Sequence, residues 1–108
     1  MNNINEDKMC NAVIEFKNEI NEEYLKNFAY SVKEILKAMV TGKGAPISVK
    51  GDASKVRSFA KALGNELEYI KVLGDTKIDD PRAMAQRHKL EASVSDFESM
   101  TGIKWPVR

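Results

Sequence analysis

The chain contains one histidine, His88, and one cysteine, Cys10, and these are the residue types most often used for nucleophilic catalysis and zinc binding. They lie in distant segments without metal-ligand spacing, and His88 stands between Arg87 and Lys89, as on a solvated basic helix face. The sequence has neither a G-x-S-x-G nucleophile elbow nor a phosphate-loop pattern. We therefore expect a protein that is not an enzyme, with no metal site and no cofactor.

Carboxylates are the next groups that could do chemistry. Asp75, Asp79 and Asp80 are close in sequence, but they lack the alternating spacing and closing Glu of a calcium loop. Asp80 followed by proline is instead typical of a helix start. The pair Glu66 and Glu68 is interpreted as surface helix charge, since ionised side chains are seldom buried.

Basic residues are concentrated in residues 41–63, where five cations accompany Asp52 alone: Lys43, Lys50, Lys55, Arg57 and Lys61. Such a cluster is able to follow a phosphate backbone, which makes RNA or single-stranded DNA a possible ligand. Aromatic side chains do not alternate with these cations, and only Tyr30, Tyr69 and Trp105 are predicted to be available for base stacking. The window is therefore interpreted first as a solvated face and second as a weak, sequence-independent nucleic-acid site.

The C-terminal stretch TGIKWPVR places Ile103 and Trp105 in an alternating pattern near the end of the chain. Tryptophan buries a large area and is favoured at the energetic centres of interfaces. Two alternatives follow: the tail folds back over an open sheet edge, or it contacts a partner. We predict Ile103 and Trp105 as the partner-binding residues.

The elements that must position these residues follow from hydrophobic periodicity. Alternation predicts strands, and apolar residues at three- and four-residue steps predict helices. In chain order the predicted elements are a strand over 11–17, a helix over 24–40 with Asn21 as its N-cap, a strand over 47–50, a helix to Leu73, and from Pro81 to Met100 either one long helix or a short turn of helix followed by a longer one. Gly51 is predicted to allow the sharp turn before the helix to Leu73. The apolar stripe of that helix keeps phase across Gly64, which predicts one helix, and consists of Val56, Phe59, Ala60, Leu63, Leu67, Ile70 and Leu73. The fold class is α+β, with a small sheet packed on helices and a short extended tail.

The strand–helix–strand order predicts that the two strands lie side by side and parallel. A sheet of this size leaves both edges unpaired. We expect the edges to be completed by IKWPVR as a third strand or by a second copy of the chain, which favours a homodimer.

Length and composition are those of one globular domain. The chain has 108 residues, 43% of them hydrophobic and 31% charged, with a net charge of +1. We predict a flexible lead-in over residues 1–10 and a single domain over 11–108. The lone cysteine, the polar N-terminus and the lack of a long apolar run predict a cytoplasmic protein with no membrane partner.

Three segments, ISVKGDASKVRSFAKALG, DDPR and TGIKWP, resemble small accessory proteins carried by large tailed bacteriophages. The resemblance covers the C-terminal two-thirds of the chain. It implies a protein that binds and redirects host or phage machinery, in the host cytoplasm, and it transfers no functional residue. Together with the lack of a catalytic motif, it favours a small non-enzymatic protein-interaction module, with nucleic-acid binding by the 43–61 window as the alternative.

Overall fold

The computed structural model describes residues 12–16, 20–42 and 47–107. Its elements are β1 (Ala12–Glu15), α1 (Glu22–Val40), β2 (Ile47–Lys50), α2 (Ala53–Asp75) and α3 (Pro81–Thr101). This order and the α+β class confirm the prediction. The predicted lead-in over residues 1–10 lies outside the described residues, as does the loop over 43–46.

β1 and β2 form a parallel sheet, in which Ile14 lies opposite Val49 and Glu15 opposite Lys50. The predicted alternation is confirmed on β1, because Ile14 is buried whereas Val13 and Glu15 are exposed. Within the described ranges the sheet has two strands. Residues 102–107 form no strand, so the prediction that the tail supplies a third one is wrong.

α1 begins as its sequence predicts. The Asn21 side chain accepts a hydrogen bond from the backbone N–H of Tyr24 at 2.8 Å, and Glu22 and Glu23 occupy the positive end of the helix dipole. The helix packs against β1 and buries the centre of its apolar stripe. The buried residues are Phe28, Val32, Ile35, Leu36 and Ala38.

Gly51 makes the turn that follows β2. Its φ of +141° is a conformation that L-residues with side chains rarely adopt, and a Cβ there would lie 2.9 Å from the Cβ of Phe16. The predicted need for glycine at this turn therefore has two causes, the backbone angle and the close approach of Phe16.

α2 continues through Gly64 as one helix, as predicted. Its buried face is turned from the predicted stripe toward residues that sequence reasoning left outside it: Ala62, Glu66 and Tyr69. Ala60, assigned to the stripe, is exposed. The prediction that Tyr69 is available for stacking is wrong, because it packs in a cluster with Ala83 and Leu90.

α3 is one helix rather than two. Asp80 caps it by accepting a hydrogen bond from the Arg82 N–H at 2.8 Å, and Pro81 occupies its first turn. Gly102, at φ +75°, ends it in the left-handed conformation.

Backbone contacts divide the chain into two compact units. We call Ala53–Trp105, which contains α2 and α3, the helical unit, and the described residues of Met1–Asp52 and Pro106–Arg108 the sheet unit. None of the helices in the described ranges has the length and hydropathy needed to cross a bilayer.

Candidate functional site

The tail residues predicted to bind a partner lie inside the helical unit. Ile103 is 2% exposed and Trp105 is 8% exposed. The indole packs edge-on against Phe97, with ring centroids 5.3 Å apart, and lies 6.1 Å from the ring of Phe59. Since a partner cannot reach buried side chains, we correct the assignment of Ile103 and Trp105 from partner contact to core packing.

Hydrogen bonds hold the tail in this position. The Trp105 indole N–H donates to Glu66 Oε1 at 3.0 Å, and the Trp105 backbone N–H donates to Glu98 Oε2 at 2.8 Å. The Ile103 N–H donates to Thr101 Oγ1 at 3.1 Å. These bonds explain how polar backbone is tolerated among buried rings.

Glu66 corrects a second expectation, because it is 1% exposed rather than a surface charge. It lies seven residues after Phe59, which at 3.6 residues per turn places both on the same face of α2. This seven-residue spacing was the sequence signal that could have predicted the burial of Glu66. The donor that makes burial of the carboxylate tolerable stands 39 residues later in the chain, where periodicity gives no information.

The basic window is not one stripe. Lys43 lies outside the described residues, and Lys50 is exposed on β2 in the sheet unit. On α2, Arg57 and Lys61 are four residues apart and share an exposed face. Lys55 is half-buried and lies about 160° from Arg57 and about 120° from Lys61 around the helix axis. The three cations of α2 in this window therefore do not share one face of the helix.

Arg57 and Lys61 form one wall of a groove between α2 and α3 with a volume of about 430 Å³. We call it the α2–α3 groove. Its lining residues are Ser54, Arg57, Ser58 and Lys61 from α2 and Ser93, Asp96 and Met100 from α3. This volume is within the range of small-ligand sites, about 300–1,000 Å³.

The groove exists because small residues occupy facing positions of the two helices. Ser58 and Ser93 turn their hydroxyls to the backbone carbonyls of Lys55 and Leu90, so neither side chain fills the space between the helices. Two turns after Ser58, Asn65 Nδ2 donates to Ser93 Oγ at 3.0 Å and so links α2 to α3 beside the groove.

The charges of the groove are not neutralised by ion pairs. Among the described residues, Arg57, Lys61 and Asp96 have no ion-pair partner; the ion pairs present are Lys71–Glu68, Arg82–Asp80 and Arg87–Glu91. Met100, 46% exposed, adds an accessible apolar side chain to the α3 wall. The groove thus offers two cations on one wall and a carboxylate with a thioether on the other.

A smaller cavity of about 190 Å³ lies between β1 and α1 in the sheet unit. Val13, Tyr24 and Ser31 are among its lining residues. The Tyr24 hydroxyl donates to the Glu15 carbonyl at 2.6 Å and so ties α1 to the end of β1. The volume of this cavity is below the usual range for ligand sites.

The residues first considered for catalysis lie elsewhere. His88 is exposed on α3 and lines neither cavity, and Cys10 is outside the described residues. Asp80 has the capping role predicted for it. The Arg82 backbone N–H and guanidinium, both bonded to the Asp80 carboxylate, hold the pKa of that carboxyl below its ordinary value. Within the part of the chain that the structure describes, no three His, Cys, Asp or Glu residues form a metal-binding group.

Fold and site together define a small α+β protein with a charged groove on a helical hairpin. Comparison with known proteins assigns no family: no family model, curated protein or solved structure matches the chain.

Proposed function

We propose that this protein is a non-enzymatic protein-interaction module whose α2–α3 groove binds an acidic, amphipathic segment of a partner protein. The observation that carries the proposal is the pair Arg57 and Lys61, which line a groove of about 430 Å³ without an ion-pair partner among the described residues. Opposite charge on the ligand would steer association and fix its orientation.

The opposite wall favours a peptide over a nucleic acid. Asp96 faces the same space as Arg57 and Lys61, and a phosphate backbone entering the groove would meet that carboxylate. A peptide is able to place an acidic residue against the cations and a donor against Asp96. The position of Lys55 on another face of α2 also leaves too few cations for a phosphate track.

Met100 supplies the apolar part of the proposed contact. Methionine adapts its shape to different partners, and accessible methionines are common at promiscuous binding surfaces. Interfaces typically combine an apolar centre with a polar rim. A partner helix or strand with an apolar residue beside an acidic one matches this arrangement.

A partner from host or phage machinery, and with it a cytoplasmic location in the host, stays a prediction that rests on the resemblance of three sequence segments to phage accessory proteins. The homodimer stays a prediction that rests on the two edges of the sheet, because Trp105 is occupied within its own unit. Sedimentation equilibrium tests this prediction, and a monomer at micromolar concentration would contradict it. If the dimer forms through the β1 edge, a Val13→Lys variant should shift the measured mass toward that of the monomer.

The groove is tested with labelled 12-residue probe peptides. One has leucines at three- and four-residue steps with glutamates on the other face, a second has lysines in place of the glutamates, and a third is the acidic peptide with its sequence scrambled. We expect the acidic amphipathic peptide to bind most tightly in fluorescence anisotropy. Reversing both cations with Arg57→Glu and Lys61→Glu should weaken binding about tenfold or more, since close charge pairs at interfaces are worth about 1.5 kcal/mol upward.

Matched variants distinguish the effect of the groove residues on binding from the effect of surface charge outside the groove. Lys89→Gln removes one exposed cation of α3 outside the groove and should leave affinity unchanged. Ser58→Leu should lower affinity for every peptide by filling the groove. Equal binding of the acidic peptide by the wild type and the Arg57→Glu/Lys61→Glu variant would overturn the proposal.

A further inference from the structure

The outer face of α1 presents an exposed aromatic ring among lysines. Lys26, Tyr30, Lys33 and Lys37 follow each other at steps of four, three and four residues, which places them within about 60° around the helix axis. All four are exposed, on the side opposite the buried residues Phe28, Val32 and Ile35.

Tyr30 is unusual among the aromatic residues for its accessibility. It is 68% exposed, whereas the other two rings predicted to be available for stacking, Tyr69 and Trp105, are buried. Its ring has no hydrogen bond or ring contact among the described residues. Burial in the core therefore does not account for an aromatic residue at this position.

The lysines around it are not held in ion pairs. None of the three has an ion-pair partner within the described ranges of the chain. α1 also carries three carboxylates, Glu22 and Glu23 at its start and the half-buried Glu34, which lies four residues after Tyr30 and three before Lys37. The three lysines are therefore available to phosphates, although the helix as a whole has as many glutamates as lysines.

We propose that this face of α1 binds single-stranded nucleic acid, with Tyr30 stacking on a base and Lys26, Lys33 and Lys37 contacting phosphates. Stacking on an aromatic ring requires a base that is free of its own stack, which favours single strands over duplexes. The α-carbons of Lys26 and Lys37 are about 16 Å apart along the helix, a span that reaches more than one phosphate of a single strand.

This site differs from the one predicted for the 43–61 window, which lacks an exposed aromatic residue in its described part. It is also separate from the α2–α3 groove, because it uses no residue of the helical unit. Failure of either proposal leaves the other standing, and variants of one site should not change binding at the other.

The test uses the full chain and fluorescein-labelled dT15, measured by anisotropy over a range of salt concentrations, with a 15-base-pair duplex as comparison. Three phosphate contacts predict a slope of about −2 for log affinity against log salt, at about 0.7 per contact on single strands. Lys33→Gln should reduce this slope by about 0.7. Lys89→Gln, an exposed lysine of α3, is the control and should leave it unchanged.

Tyr30→Ala should weaken dT15 binding about fivefold or more at constant salt slope, because stacking does not release counterions. Tyr30→Phe keeps the ring and should bind as the wild type does. Unchanged binding by Tyr30→Ala would overturn the proposal, as would absence of dT15 binding at low salt. Equal binding of the duplex, or of poly-glutamate, would also overturn it; the latter would assign the face to acidic proteins.

Discussion

The two units of the chain bury apolar residues by different means. The sheet unit combines two four-residue strands with one helix, and its apolar residues follow simple periodicities. The helical unit joins residues far apart in sequence, through the Trp105–Glu66 bond and the Asn65–Ser93 bond. Periodicity predicts the elements of the first unit, whereas the buried polar group Glu66 of the second was not predictable from it.

Both units expose large apolar side chains, and in the helical unit these are Ile78, Met84 and Met100. In the sheet unit Val13, at 63% exposure, stands on the open face of β1, and Tyr30 stands on the outer face of α1. In the helical unit, the tail returns to bury Trp105 against Phe59 and Phe97. Within the described ranges of the sheet unit, no element covers Val13 or Tyr30.

The largest expected effect is that of Trp105→Ala. Removing the indole leaves a cavity beside Phe59 and Phe97 and takes a donor from buried Glu66, so we expect a loss of about 3–5 kcal/mol in the free energy of unfolding. Urea unfolding followed by circular dichroism measures it. Hydrogen exchange should show the loss of protection in α2 and α3 first.

Trp105→Phe is the matched control, because it keeps a ring and removes the N–H. We expect it to cost less than the alanine variant, about 1–3 kcal/mol, from the lost donor to a buried carboxylate. A Trp105→Ala variant as stable as the wild type would contradict the difference drawn between the units.

Two glycine variants should act in opposite directions, one in each unit. Gly51→Ala forces a side chain into a positive φ and against Phe16, and should destabilise the protein by about 1–3 kcal/mol. Gly64→Ala lies inside α2 with open space around the new Cβ, and should stabilise it by about 0.5–1 kcal/mol. Chemical denaturation of both variants in one buffer gives the two changes in the free energy of unfolding. If both changes had the same sign, the local backbone conformation would not be their cause.

Asn65→Ala tests the hydrogen bond that links α2 to α3 between Asn65 and Ser93. It removes the bond to Ser93, and we expect a loss of about 0.5–1.5 kcal/mol. Asn27→Ala on α1 is the control in the sheet unit, since Asn27 is exposed, and it should change stability by less than about 0.5 kcal/mol. Thermal unfolding of both variants beside the wild type measures the difference. Equal losses of unfolding free energy would argue against a specific role of the Asn65–Ser93 bond.

The smallest effect is expected at Asp80 and depends on pH. Because the folded-state pKa of Asp80 is lowered by its bonds to Arg82, its contribution is present at neutral pH and is lost as pH falls through the folded pKa. Asp80→Asn keeps the capping oxygen but does not titrate. The stability difference between wild type and Asp80→Asn should therefore be constant above about pH 5 and should shrink as pH falls below 3.8, the ordinary pKa of this group. A difference that stays constant from about pH 5 down to about pH 2 would contradict the role of the charge.

The fold was largely predictable from the sequence because its elements have regular patterns and strong end signals. Asn21, Gly51 and Asp80-Pro81 mark boundaries by mechanisms that act within a few residues. The parallel pairing of β1 and β2 follows from the helical crossover between them, because parallel strands need a long connection of this kind.

The candidate site was predictable only in part. Arg57 and Lys61 were recognised as two of the five cations of the 43–61 window, but the groove beside them is formed by residues of two helices, including Ser58 and Ser93, which no local pattern reveals. The burial of Glu66 and Trp105 has the same cause, a contact between residues 39 positions apart. Both failures concern pairings over long sequence distances, where composition favours the surface and only the fold decides otherwise.

The position of Trp105 also makes it a built-in optical reporter. It is the only tryptophan of the chain, and it lies in the helical unit, so its fluorescence emission follows the solvation of that unit alone. Circular dichroism at 222 nm, in contrast, records all three helices. Overlaying the two melting curves would therefore show, without labels or mutations, whether both halves of the molecule melt as one.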